Sequence, residues 1–131
     1  MIGLDTNIVI RYIAQDDLVQ SQKATRLIES LSSDVPGYIP LVALVEIVWV
    51  LEESYGLTKK ELIVILETLL RTKELVVERA EVVARALGVF LASRAGFSDC
   101  LIERCAQAAK CEYTLTFDKA AAKSAGMRLL A

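Results

Sequence analysis

The chain opens on a short apolar run, Met1 to Leu4, that stops at Asp5, with Thr6 and Asn7 as turn or capping residues beyond it. That pattern predicts a buried strand leading directly into helix. From Leu18 to Leu31, Ala24, Leu27, Ile28 and Leu31 recur at helical spacing, and Asp16 and Asp17 stand where a helix start needs caps. Pro40 then opens LVALVEIVWVLEESYG, apolar on every side for about three turns and ended by Gly56, which predicts a helix buried all round. Thr58 to Glu61 is a T-x-x-E capping box ahead of Leu62, Leu66, Leu69 and Leu70 on one helical face. Leu75 to Glu78 reads as a brief strand. Val83, Leu87, Phe90 and Leu91 mark another helix closing near Gly96, and Ser98 begins the next, with Leu101, Ile102, Cys105 and Ala109 on its apolar side. YTLTF at 113–117 is rich in β-branched and aromatic residues and ends at Asp118, a short Ala/Lys helix runs to Gly126, and MRLL closes the chain as a strand.

Strands alternating with helices predict an α/β protein, a three-layer α/β/α sandwich with a mainly parallel four- to five-stranded sheet, because parallel neighbours require crossover helices. The 131 residues, 54% of them hydrophobic, fit one domain over 1–131 with no linker or repeat. A helix apolar all round is hard to enclose in so small a domain, so part of the 41–51 surface is expected to pair with a second copy in a homodimer. No basic and apolar leader opens the chain, and its longest apolar stretch, Tyr38 to Leu51, is too short for a span of roughly 20 residues. The chain is therefore expected in the cytoplasm, not in a membrane.

Composition narrows the chemistry. The chain has no His, which excludes Ser/His/Asp triads, Cys/His dyads and His-ligated metals together. Cys100, Cys105 and Cys111 lack CxxC spacing and read as reduced packing residues. Net charge is −2, but residues 1–57 carry three basic and eight acidic side chains against twelve and nine in residues 58–131. Any nucleic-acid contact is then local, with no broad basic face.

Four carboxylates draw attention. Glu46 interrupts an apolar helix, and burying a lone carboxylate costs roughly several kcal/mol. It must be paired, protonated or bound to a cation, and neither Arg26 nor Lys59 is placed by periodicity to meet it. Asp5 and Asp118 each follow a predicted strand, at the edge where α/β proteins gather ligands, although an Asp between strand and helix also serves as an N-cap. Asp99, beside Ser98 at a helix start, has the same two readings. Were all four to converge, their repulsion would demand a counter-charge, and an all-oxygen cluster suits Mg²⁺ or Mn²⁺. A bound ion of that kind can activate water for phosphodiester hydrolysis without histidine.

IGLDTNIVIRYI at the start, Glu46 in its helix, FSDCLI around Asp99 and TLTFDK around Asp118 together resemble PIN domains, particularly the VapC-type toxins of prokaryotic toxin–antitoxin pairs. The resemblance spans essentially the whole chain. It implies an endoribonuclease in which Asp5, Glu46, Asp99 and Asp118 hold one or two Mg²⁺ or Mn²⁺ ions. It also implies a homodimer neutralised by a cognate antitoxin protein. Thr6, Asn7 and Thr116 are candidates for orienting carboxylates or water, Thr6 and Asn7 being equally explained as turn caps. Glu103, four residues after Asp99, is either an outer ligand or a solvated glutamate. Arg11, Arg94, Arg104 and Lys119 either contact RNA phosphates or simply face solvent. The competing readings are a structure-specific DNA nuclease of related fold, a receiver-like phospho-acceptor module, and a non-catalytic RNA-binding or assembly module.

Overall fold

The computed structural model describes residues 1–131. The chain forms two compact units, Met1–Glu78 and Arg79–Ala131. In the first, β1 (Ile2–Gly3), α1 (Thr6–Ala14), α2 (Leu18–Ser30), β2 (Gly37–Ile39), α3 (Leu41–Glu53), α4 (Lys59–Arg71) and β3 (Leu75–Val77) follow in order. The second holds α5 (Ala80–Ala92), α6 (Phe97–Ala108), β4 (Leu115–Thr116), α7 (Lys119–Ser124) and β5 (Arg128–Leu129).

Every strand pair is parallel, as the alternation of strand and helix requires, and the α/β class is borne out. The five strands do not form one sheet, however. They divide into a three-stranded sheet, β1-β2-β3, and a two-stranded one, β4-β5. In the first sheet Gly3 pairs with Tyr38 and Ile39 with Val77. Gly37 begins the central strand in a tight space: a Cβ there would lie 2.8 Å from Leu4 Cδ1, 2.9 Å from Leu31 Cδ1 and 3.1 Å from Leu75 Cδ2, so these leucines would have to shift.

Local signals act where they were read. Asp17 accepts the Gln20 N–H at 2.7 Å and caps α2. Thr58 and Glu61 complete the capping box of α4. Asp16, by contrast, takes no capping role: its carboxylate accepts the Tyr55 hydroxyl at 2.7 Å and lies 3.1 Å from the Arg11 guanidinium, which also donates to Gln20 at 2.9 Å. One cluster thus ties α1 and the start of α2 to the end of α3.

Helix α3 departs from expectation. It buries Ala43, Leu44, Ile47, Val48 and Leu51, a single stripe at i, i+3, i+4 spacing, and leaves Val42 78% and Trp49 59% exposed. It is not buried all round. In the second unit α6 starts earlier than Ser98, because Phe97, 1% exposed, packs edge-on against Phe90 at 5.7 Å, with Gly96 as the N-cap. Gly96 therefore opens α6 and does not close α5. Ile102 and Ala109 face outward, and the buried side of α6 is Phe97, Cys100, Leu101 and Glu103. No helix is long and apolar enough to cross a membrane.

Two outcomes are expected. Gly37→Ala should lower unfolding stability by about 1–3 kcal/mol through overpacking against three leucines, read from urea denaturation. The second concerns pH. The hydrogen bond from Tyr55 holds the Asp16 carboxyl below its ordinary range, and the same bond raises the Tyr55 phenol. Folding favours ionised Asp16, so that contribution is lost as pH falls through the depressed folded value. It also favours protonated Tyr55, so that part is present below about pH 10 and lost as pH rises through the raised value. The gap in melting temperature between the parent and Tyr55→Phe should be widest near neutrality and shrink toward both extremes; a gap constant with pH would refute this.

Candidate active site

Asp5 sits two residues beyond β1, with extended backbone, and begins α1. Its Oδ1 accepts the Thr6 N–H at 2.8 Å, which fixes the carboxylate and leaves the other oxygen without a protein partner. Thr6 itself is buried. Glu46 lies in the second turn of α3 on the exposed side, with Val42 one turn before it. Glu46 is therefore solvated, contrary to the expectation of burial, and needs no counter-charge on that account. The helix covers the core with one stripe only, so an apolar sequence all round does not enclose the carboxylate.

Asp5 and Glu46 nevertheless line one cavity of about 460 Å³, with Gly3, Leu4, Thr6, Pro40, Val42 and Ala43. No basic residue is on its wall. Its placement has a local cause: Pro40 supplies no side-chain cap to α3, and Glu78, at the carboxyl end of β3, accepts the Leu41 N–H at 2.8 Å. A carboxylate at a helix N-terminus also suits the helix dipole. Glu78 was missed by sequence reasoning because the pattern placed it inside the strand, which ends one residue earlier, at Val77. Tyr38, on β2, has its phenol raised by burial and by the neighbouring Glu78 charge.

In the second unit, Asp99 occupies the first turn of α6, half-buried. Neither it nor Ser98 caps that helix, whose N-terminus has no side-chain hydrogen bond. The capping reading is thus removed for Asp99. For Asp118 it is realised: Oδ1 accepts from the N–H groups of Ala120 at 2.8 Å and Ala121 at 3.2 Å. Thr116 supports it from behind, its hydroxyl accepting the Asp118 N–H at 3.0 Å.

The remaining candidates separate clearly. Asn7 faces a different cavity, about 410 Å³, shared with Arg11, Gln20 and Lys23. Glu103 is no solvated glutamate: it is 8% exposed and forms a two-pronged ion pair with Arg104, at 2.9 and 3.2 Å, beside the Gly126 turn. Arg11 is held by Asp16 and Gln20. Of the four candidate phosphate contacts, Arg94 and Lys119 are the exposed ones. A more spacious cavity, about 630 Å³, lies among Ile13, Leu51, Tyr55, Val64 and Ile65 in the first unit, and none of the four acids lines it.

The residues fit a hard divalent cation in chemistry. The Asp5–Glu46 cavity offers carboxylate oxygens with no lysine or arginine to neutralise them, and none of the four acids is in an ion pair. No three acidic or cysteine side chains are gathered in a group able to hold a metal.

The PIN domain profile matches residues 2–126, a span that takes in all four acids and both compact units. Neither the comparison with curated proteins nor that with solved structures produced a match.

The cap on α7 uses a single oxygen of Asp118, so it can be tested by itself. Asp118→Ala should cost about 1 kcal/mol of stability by uncapping α7, whereas Asp118→Asn keeps the accepting oxygen and should melt within a few tenths of a kcal/mol of the parent. Equal losses in thermal denaturation would contradict the capping geometry.

Proposed function

Given that this chain belongs to the PIN-domain family, whose members are generally metal-dependent nucleases, we propose that it is a Mg²⁺- or Mn²⁺-dependent endoribonuclease and the VapC-type toxin of a type II toxin–antitoxin pair. The observation that carries the reading is the cavity that Asp5 and Glu46 line together with no lysine or arginine on its wall. Asp5, Glu46, Asp99 and Asp118 would hold one or two ions. When bound, such an ion supplies an activated water and neutralises charge on the leaving oxygen of the phosphodiester.

The chain's own residues contribute pre-set ligands. Thr6 N–H pins one oxygen of Asp5, and the α7 N–H groups with Thr116 pin Asp118, so each presents a defined second oxygen. Glu46, exposed and without a protein hydrogen bond, is free to reorient toward a ligand. No histidine is needed as a base, which suits a chain that has none.

A homodimer in the cytoplasm, neutralised by a small cognate antitoxin, completes the proposal. Support for the dimer comes from Trp49 on α3, a large aromatic side chain that the chain itself leaves 59% exposed.

The test uses purified protein with structured RNA and with single-stranded DNA, in Mg²⁺ or Mn²⁺ and then in EDTA. RNA should be cut only with metal, and Asp99→Asn should reduce cutting by at least about a hundredfold, since even supporting residues around metals cost 10–100-fold. Cutting that survives EDTA sinks the metal reading. Preference for DNA would favour the structure-specific DNA nuclease, and no cutting of either would favour the non-catalytic module.

A further inference from the structure

The two-stranded sheet of the second unit carries an unusual surface. Of the three phenylalanines, Phe90 and Phe97 pack on each other in the core, whereas Phe117 is 81% exposed. Tyr113 and Leu115 lie on one side of the β4 segment, Phe117 stands in the bend that follows the strand, and all three are exposed. The parallel register sets Leu115 beside Arg128, and the Arg128 N–H donates to the Thr114 carbonyl at 2.8 Å, so the pairing extends toward Tyr113. The Arg128 guanidinium lies 3.8 Å from the centroid of the Tyr113 ring.

We propose that the exposed rings and Arg128 at this end of the two-stranded sheet form a base-stacking subsite, in which an unpaired nucleobase lies on the Phe117 ring and the flanking phosphate meets Arg128 or Lys119. The inference rests on the nuclease reading for its class of ligand. Two observations favour a nucleic-acid strand over a second protein surface. First, the unit Arg79–Ala131 carries eight Lys and Arg against five Asp and Glu, a net of +3 in a chain whose total is −2. A polyanion is drawn to that excess. Second, Phe117 directly precedes Asp118, so a base held on its ring lies next to an acid of the proposed catalytic set. Aromatic faces beside guanidinium groups suit single strands, whose bases are splayed and available, and not duplexes, whose bases are already stacked.

The experiment measures binding apart from cleavage. In EDTA and an Asp99→Asn background, labelled oligoadenylate of about a dozen nucleotides and its duplex with oligouridylate are titrated with the full chain by fluorescence anisotropy. Phe117→Ala should weaken single-strand binding about tenfold, Phe117→Trp should hold it within about twofold, and duplex binding should stay unchanged. Because the ring is exposed, these variants should fold as the parent does, checked by circular dichroism. Single-strand binding unaffected by Phe117→Ala overturns the proposal. So does retention by Phe117→Leu, which keeps apolar bulk without a ring face, or an equal loss for the duplex. Conversion of a dimer to a monomer by Phe117→Ala, seen in sedimentation, would also overturn it and assign the face to a second copy. Ring-dependent binding, together with a parent chain that cuts neither RNA nor DNA in Mg²⁺ or Mn²⁺, would sink the nuclease reading and leave the subsite standing.

Discussion

Parallel pairing of β1, β2 and β3 is the constraint on which the first unit depends. Because the strands run the same way, their carboxyl ends emerge on one edge, and Asp5, Pro40 and Glu78 follow them there. Each end is put to use. Asp5 starts α1, Pro40 starts α3, and Glu78 closes the open N-terminus of α3 by accepting from Leu41. The helix that carries Glu46 is thus held by a carboxylate from a strand 37 residues away in sequence from the bond it makes. Leu4, Leu31 and Leu75 close over Gly37 at the start of the central strand.

The acids show that capping and ligand binding are not rival explanations. An N-cap uses one carboxylate oxygen to satisfy backbone N–H groups that would otherwise be orphaned. Asp5 and Asp118 each spend one oxygen in that way, which stiffens the side chain and leaves the second oxygen available. Glu46 reaches a similar state by the opposite route, through exposure. Its availability comes from a helix that is covered on one stripe only.

Charge is distributed with the same economy. Arg11 and Arg104 look in sequence like free cations, yet both are taken up by internal carboxylates, Asp16 and Glu103. Desolvating Glu103 without Arg104 would be costly, and the pair lies within α6 beside the Gly126 turn. What remains for an anionic ligand is the smaller group that includes Arg94, Lys119 and Arg128, with exposed aromatic rings among the last two.

Features governed by nearby residues and by the order of elements were legible in the sequence alone: the Thr58–Glu61 capping box, the Asp17 cap and the parallel α/β class. Each depends on backbone hydrogen bonds or periodicity over one or two turns, which the order of residues determines. Tertiary structure decided the rest. It exposed Glu46, buried Glu103, and joined Arg11 to Tyr55 across 44 positions. It also split five strands into two sheets and uncovered Phe117. Burial and long-range pairing depend on which faces meet when helices and strands pack, and an amphipathic or wholly apolar segment has the same sequence whether one side is covered or both.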